Sequence, residues 1–162
     1  MYLTEKGLKL ILQRIYPNID FVHNKTVPNS GIKNRPDYRN DELMLIVEFD
    51  GYLHYTQSKT ILYDEKKDRV YSEMGYKIIR IPYFIQISKE TIKHLFGVNI
   101  NIPQNYPHGF IDPKCVLPSD FCTLGIKRYK KDLENFSFIK NEIDLSLEEK
   151  IKEKGDERYV IF

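Results

Sequence analysis

Three carboxylates and a histidine crowd into one short stretch of this chain: Asp37 in Arg35-Pro36-Asp37, then Glu48, Asp50 and His54 in Glu48-Phe49-Asp50-Gly51-Tyr52-Leu53-His54. Glu48 and Asp50 end an apolar run, Leu43 to Phe49, that suits a central strand covered on both faces. Alternation along a strand puts Met44, Ile46, Glu48 and Asp50 on one face and Leu43, Leu45, Val47 and Phe49 on the other. The Cα atoms of Glu48 and Asp50 then lie roughly 7 Å apart, so both carboxylates can lean toward one ion. Buried carboxylates without a partner are costly, and two close together must protonate or find a cation. Oxygen donors in octahedral geometry point to magnesium, with manganese as a substitute. His54, just beyond Gly51, can serve as general base on an attacking water, or as proton donor or charge stabiliser at a phosphate.

Asp37 joins this set only if the turn between it and Glu48 has the right register. A two-residue loop at Asp41-Glu42 sets Asp37 opposite Ile46, one pleat from Glu48 on the same face, and a bulge can give an equivalent result. A loop at Asn40-Asp41 sets it opposite Met44, too far from Glu48 without a bend. Plainer roles stand beside the chemical ones. Glu48 and Asp50 can pair with Arg35, Lys33 or Arg80, His54 can be structural, and Asp37 can be a turn residue. What favours the chemical set is its joint placement around one hairpin.

The elements that must position these residues can be read along the chain. Leu8, Leu10, Ile11, Leu12 and Ile15 recur at helical spacing after Thr4-Glu5-Lys6-Gly7 and stop near Pro17. Ile19 to Val27 reads as a strand closed by the turn Pro28-Asn29-Ser30-Gly31. Tyr38 leads through a turn-prone Arg39-Asn40-Asp41-Glu42 into the central strand. Ser58 to Met74 carries Ile61, Leu62, Val70 and Met74 at helical spacing, with Gly75 as a left-handed cap. Tyr76 to Ile81 is a second β-rich strand that stops at Pro82, and Ser88 starts a helix bearing Ile92, Leu95 and Phe96. The order is αββαβα, which favours an α/β fold with a mixed sheet. Beyond Gly97, Pro103, Pro107, Pro113 and Pro118 break up the pattern before a polar helix from Leu124 to Phe138. A charged, peripheral helix from Ser146 to Gly155 follows, capped by Ser146 with Glu149. The core is expected to close near residue 102, with residues 103–162 as an extension packed on it.

Composition limits the alternatives. The chain has 162 residues, 41% of them hydrophobic, enough to bury the core of a single domain. A net charge of +2 cannot by itself attract nucleic acid, so any basic surface must be gathered on one face. Lys59, Lys66, Lys67 and Arg69 form one candidate group of phosphate contacts, and Lys127, Arg128, Lys130 and Lys131 a second with Tyr129 interleaved. A solvated helix face explains the first group equally simply and the second, with its interleaved tyrosine, less well. Cys115 and Cys122 lack zinc-site spacing and read as free thiols of a reducing cytoplasm. Charged Glu5 and Lys6 come early, and no apolar run approaches the roughly 18 residues a bilayer requires, so secretion and membrane insertion are not expected.

The string Arg35-Pro36-Asp37-Tyr38, with Ile46-Val47-Glu48-Phe49-Asp50-Gly51-Tyr52-Leu53-His54, resembles the very-short-patch repair branch of the PD-(D/E)XK nuclease superfamily. Asp64, Asp68-Arg69 and Gly75-Tyr76-Lys77-Ile78-Ile79-Arg80 extend the likeness, which covers residues 3 to 96. The resemblance implies a restriction-endonuclease-like core, a central mixed sheet flanked by helices, and magnesium-dependent hydrolysis of DNA. It implies Asp37 as main metal ligand, the Phe49 carbonyl as a second, and Glu5 on the opening helix as a supporting acid. A Glu, Asp, His, Asp signature of related homing-type nucleases can be supplied by Glu5, Asp37 or Asp50, His54 and Asp64. The usual lysine two residues after the glutamate is replaced by Asp50, which shifts part of its work to His54. No ligands for the zinc site of the strict repair enzymes are present. A nuclease-fold binding module without activity, and a metal-dependent hydrolase acting on another substrate, are the competing expectations. A double-strand cut by one small active site would call for a homodimer.

Overall fold

The fold is described from a computed structural model, which covers residues 4–102, 110 and 116–155. Helix α1 (Glu5–Ile15) starts where Thr4 Oγ1 accepts the Gly7 N–H at 3.1 Å, and it buries Leu8, Ile11, Leu12 and Ile15 along one stripe. Four strands follow in spatial order: β1 (Val22–His23), β2 (Tyr38–Asn40), β3 (Leu45–Asp50) and β4 (Lys77–Pro82). The pairs β1–β2 and β2–β3 are antiparallel, whereas β3 and β4 are parallel, so the sheet is mixed. A parallel pair needs a crossover, here supplied by α2 (Leu53–Thr56) and α3 (Ser58–Glu73). Helix α4 (Lys89–Phe96) is capped by Ser88, whose Oγ accepts the Thr91 N–H, and closes at Gly97 with φ +72°. Helices α5 (Thr123–Asn135) and α6 (Lys140–Lys154) complete the described chain.

The α/β class and the mixed sheet agree with the sequence reading, but three local features differ. Only Val22–His23 of the Ile19 to Val27 stretch is a strand. Arg39 and Asn40, read as turn residues, instead form β2 with Tyr38, which adds a strand and, with the short α2, makes the order αβββααβα, followed by the two C-terminal helices. The β2–β3 turn is therefore Asp41 to Met44, stabilised where Asn40 Oδ1 accepts the Leu43 N–H at 2.8 Å and Met44 takes a left-handed φ of +47°. Third, Ser146 does not cap a helix. It lies buried inside α6, its hydroxyl donating to the Ile143 carbonyl and accepting from the Phe110 N–H.

The sheet separates two apolar clusters. Leu45, Val47, Ile79 and Ile81 join α1 in the larger one, while Ile46 meets Val27, Tyr71 and Tyr76 in the smaller. The larger cluster does not end at residue 102. Tyr129, Leu133, Phe136, Ile139, Ile143 and Leu147 are all part of it, so α5 and α6 bury apolar surface against the same core as α1. Pro103, Pro107, Pro113 and Cys115 lie outside the described residues. Cys122 is a free thiol whose Sγ caps α5 by accepting from the Gly125 N–H. No described helix is long and apolar enough to cross a membrane.

Helix α5 docks on α2 without any gap. The Cys122 N–H donates to the Tyr55 carbonyl at 3.0 Å, and the fully buried Tyr55 hydroxyl donates to Asp132 at 2.7 Å. A Cβ placed on Gly125 would stand 1.7 Å from the Tyr55 carbonyl oxygen, a backbone atom that cannot swing aside. Gly125→Ala should therefore cost at least the ~1–3 kcal/mol typical of overpacking, read as a lower midpoint in urea unfolding. An unchanged midpoint would show that α5 is not seated on α2 in this way.

Candidate metal centre

The centre lies on the sheet face that α3 covers. The buried stripe of α3 is Ile61, Asp64, Lys67 and Tyr71, so two of its four inward positions are charged. Leu62, expected to face inward, is 55% exposed. Facing the stripe, the sheet presents Glu48 and Asp50 from β3 and Arg80 from β4, with Glu48 and Arg80 paired in register. Every charge in this layer has lost water and must be matched locally.

Asp37 sits beside Glu48, though not by the register expected from the turn. Tyr38 pairs with Val47 and Asn40 with Leu45. Continued by one residue, that ladder sets Asp37 opposite Glu48 itself rather than opposite Ile46. The longer turn moves the pairing by one pleat and brings the two acids closer than the sequence reading had them. Phe49 N–H donates to Asp37 Oδ2 at 2.7 Å, and Asp37 N–H donates to Glu48 Oε2 at 3.3 Å. The Asp50 carbonyl points toward the β4 side, where it accepts the Tyr83 N–H. Successive carbonyls of a strand point to opposite edges, so the Phe49 carbonyl faces the β2 side, where Asp37 stands.

Lys67, expected among the phosphate contacts, turns inward instead, and its Nζ lies 2.7 Å from Glu48 Oε1 and 4.0 Å from Asp64 Oδ1. It is the one cation paired with Glu48, whose Oε1 is buried and has no hydrogen bond of good geometry among the described residues. Burial raises the Glu48 carboxyl against the opposing pull of Lys67 and Arg80. Burial, the charge of Glu48 and that of Glu5 raise Asp37 to about 7, opposed by the Phe49 N–H and by Lys67. Two adjoining acids with one ammonium beside them are short of positive charge. This donor set of two carboxylates and a carbonyl fits a hard divalent cation.

The neighbouring cluster is the opposite case. Asp50, expected to share the ion with Glu48, is held by Arg80 at 2.7 Å and by Arg128, so the alternative of pairing with Arg80 is realised for this residue. Arg80 also clasps Asp68 through two hydrogen bonds of 2.8 and 2.7 Å. Arg128 reaches Asp64 at 2.7 Å, and His54 Nδ1 lies 2.5 Å from Asp64 and 3.4 Å from Asp50. Burial tends to raise Asp64, but the His54 hydrogen bond, the charges of Arg80 and His54 and the Arg128 hydrogen bond hold it well below the usual carboxylate range. Asp50, His54 and Asp64 place ligand atoms within 4.8 Å of one another and could hold a metal ion. The two guanidiniums already neutralise those carboxylates, however, and a cation entering there would have to displace or repel them.

The other expected residues fall outside this layer. Glu5 Oε1 is 2.6 Å from His23 Nε2, on the β1 side of Asp37. Lys59, stacked over the Tyr63 ring at 5.7 Å, and Lys66 are exposed on α3, as are Lys127 and Lys130 on α5. Arg128, expected on phosphate, is drawn inside by Asp50 and Asp64. A cleft of about 590 Å³ opens along β4 between α3 and α5, lined by Arg80, Arg128, Lys127, Lys131, Asp64 and Asp68 among others, and it does not include Asp37 or Glu48. The sequence reading assigned no part to His23 or Arg80 in the chemistry and misplaced Lys67. The charged inner positions of α3 at Asp64 and Lys67 were the available signal.

The two clusters should respond oppositely to loss of charge. Asp37 ionises near 3.8 in an ordinary setting and at about 7 in the fold. The folded chain thus holds the extra proton between those values, and the contribution of Asp37 to stability falls as pH rises through that window. Asp37→Asn should raise the unfolding temperature of metal-free protein at about pH 8 and leave it unchanged at about pH 4. Equal unfolding temperatures at both pH values would refute the unbalanced burial of Asp37. Arg128→Ala, which leaves Asp50 to Arg80 and Asp64 to His54 and Arg80, should cost about 1.5–3 kcal/mol in denaturant unfolding, and a loss below about 0.5 kcal/mol would mean that the Arg128 contacts are solvated.

Comparison of the chain with models of protein families, with curated proteins and with solved structures returned no match. The geometry of the two clusters is therefore what bears on function.

Proposed function

We propose that this protein is a magnesium-dependent DNA endonuclease, manganese being an acceptable substitute, with Asp37, Glu48 and the Phe49 carbonyl as the cation's ligands. The observation that carries this reading is the pairing of Asp37 with Glu48 across β2 and β3, with Lys67 Nζ 2.7 Å from Glu48. The sequence lacks a lysine two residues after the glutamate, and Lys67 brings an ammonium to the same carboxylate from α3. That removes the chief support for an inactive module, which rested on the missing lysine.

A bound divalent cation supplies charge for the phosphate and lowers the pKa of a coordinated water. The protein's own groups do the rest. Glu48 and Lys67 orient the attacking water beside Asp37, and His54, fixed by Asp64 and Asp50, assists proton transfer at the phosphate. Oxygen-only donors favour a hard cation at Asp37 and Glu48 over the imidazole-containing set around His54, where Arg80 and Arg128 already supply the positive charge. Lys59, Lys66 and Lys127 are exposed and can meet the DNA backbone, and Lys130 lies on the same helix as Lys127. A double-strand cut would require two copies of the chain.

Supercoiled plasmid incubated with the protein and magnesium should be nicked or linearised, and EDTA should stop the reaction. Asp37→Ala should abolish cleavage. Lys67→Ala should lower the rate by about 10²–10³-fold, the range for loss of one preorganised polar group, while calorimetry still detects metal binding. Metal-dependent cleavage by Asp37→Ala at the wild-type rate would sink the assignment.

A further inference from the structure

Strand β4 ends the sheet, so among the described residues one of its edges has no strand beside it. The Lys77 and Tyr83 N–H groups donate to the Met44 and Asp50 carbonyls on the β3 side. Amide groups of successive residues point to opposite edges of a strand, so Ile78 and Arg80 turn theirs toward the open edge. Both residues line the cleft of about 590 Å³ between α3 and α5. The floor of that cleft thus offers backbone donors and acceptors that no strand takes up.

Helix α5 lines the facing wall with Lys127, Lys131 and Asn135, which recur every four residues and so share a face. All three are exposed, and among the described residues neither lysine makes an ion pair. Arg80 and Arg128, in the same cleft, are instead held by Asp50, Asp64 and Asp68. Those ion pairs also neutralise Asp64 and Asp68 on the α3 wall, where Glu65 is the lining carboxylate outside them. At the α4 end the exposed His94 ring lines the cleft, with Phe138 beside it at a centroid distance of 4.7 Å.

Unpaired ammoniums on one wall, open edge groups on the floor and a ring at one end suit single-stranded nucleic acid. The first meet its phosphates, the second its base edges, and the ring gives a base a face to stack on. The volume lies within the ~300–1,000 Å³ of small-ligand sites, which admits nucleotides of one strand but not a paired duplex. Taking DNA as the polymer from the nuclease reading, we infer that this cleft binds an unpaired segment of the substrate. Its phosphates lie on Lys127 and Lys131, and its bases lie toward His94 and the open edge at Ile78 and Arg80. The cleft adjoins the candidate centre, because Arg80 and Arg128 line the one and hold Asp50, on the strand of Glu48, in the other. The preferred substrate is therefore DNA with unpaired nucleotides near the cut, such as a flap or a bubble, rather than uninterrupted duplex.

Fluorescence anisotropy of a short labelled oligothymidylate, with EDTA present, measures binding apart from cleavage. The wild-type protein should bind it more tightly than a hairpin duplex of equal length. Lys127→Gln and Lys131→Gln should each lower the slope of log affinity against log salt by about 0.7, the share of one phosphate on a single strand. His94→Ala should weaken binding about 5- to 150-fold, as for loss of one stacked base, and leave that slope unchanged. The substituted side chains are exposed, and an unchanged urea midpoint checks that each variant keeps its fold. Equal affinity for the duplex or for polyglutamate overturns the inference, as does a wild-type salt slope in the lysine variants or wild-type affinity in His94→Ala. Metal-dependent plasmid nicking would in those cases leave the nuclease reading standing. Binding that follows all three variants, without nicking by the wild-type protein, supports the strand site and overturns the nuclease reading instead.

Discussion

Helix α3 must pack against a sheet whose covered face carries Glu48, Asp50 and Arg80, and it does so with Asp64 and Lys67 among its own buried positions. Removing so many ionised groups from water is tolerable only where each is matched within a few ångströms. That requirement orders the rest of the molecule. It decides which side of α3 faces in, pulls Lys67 away from solvent, and draws an arginine from a helix far along the chain into the middle of the fold.

The matching is uneven. At the β4 end, Asp50, Asp64 and Asp68 meet Arg80, Arg128 and His54, with bidentate contacts that fix each group's orientation. At the β2 end, Lys67 is the cation paired with Glu48 among the described residues, and burial pushes both carboxyl groups upward, Asp37 further by the charge of Glu48. On the proposed reading, the end with surplus negative charge is where a divalent cation would bind. The saturated end acts as its rigid boundary, because ion pairs of this kind resist rearrangement more than they add net stability.

Helix α5 belongs to this boundary rather than to an appended module. Arg128 crosses to Asp50 and Asp64, Gly125 allows the backbone of α5 to touch that of α2, and Tyr129 lies within the main core. Since α2 carries His54, the position of that imidazole depends on α5 as well as on its own helix. On the proposed reading, an extension that could have served only to choose targets is instead a wall of the catalytic layer.

The sequence by itself determined most of the elements and the identity of the acids. Apolar spacing fixed α1 and β3, Ser88 and Gly97 marked the ends of α4, and alternation put Glu48 and Asp50 on one face, because these patterns depend only on residues close in the chain. Alternation could not say that the two would find different partners. The register of Asp37 followed from a turn of four residues in which Asn40 caps Leu43 and Met44 adopts a left-handed conformation, a choice between turns of similar local energy that the sheet settles. Lys67, Arg80 and Arg128 acquired their positions from buried charges up to 78 residues away in sequence. Electrostatic matching in a dry layer is a property of what lies across the gap, and only the tertiary structure decides that.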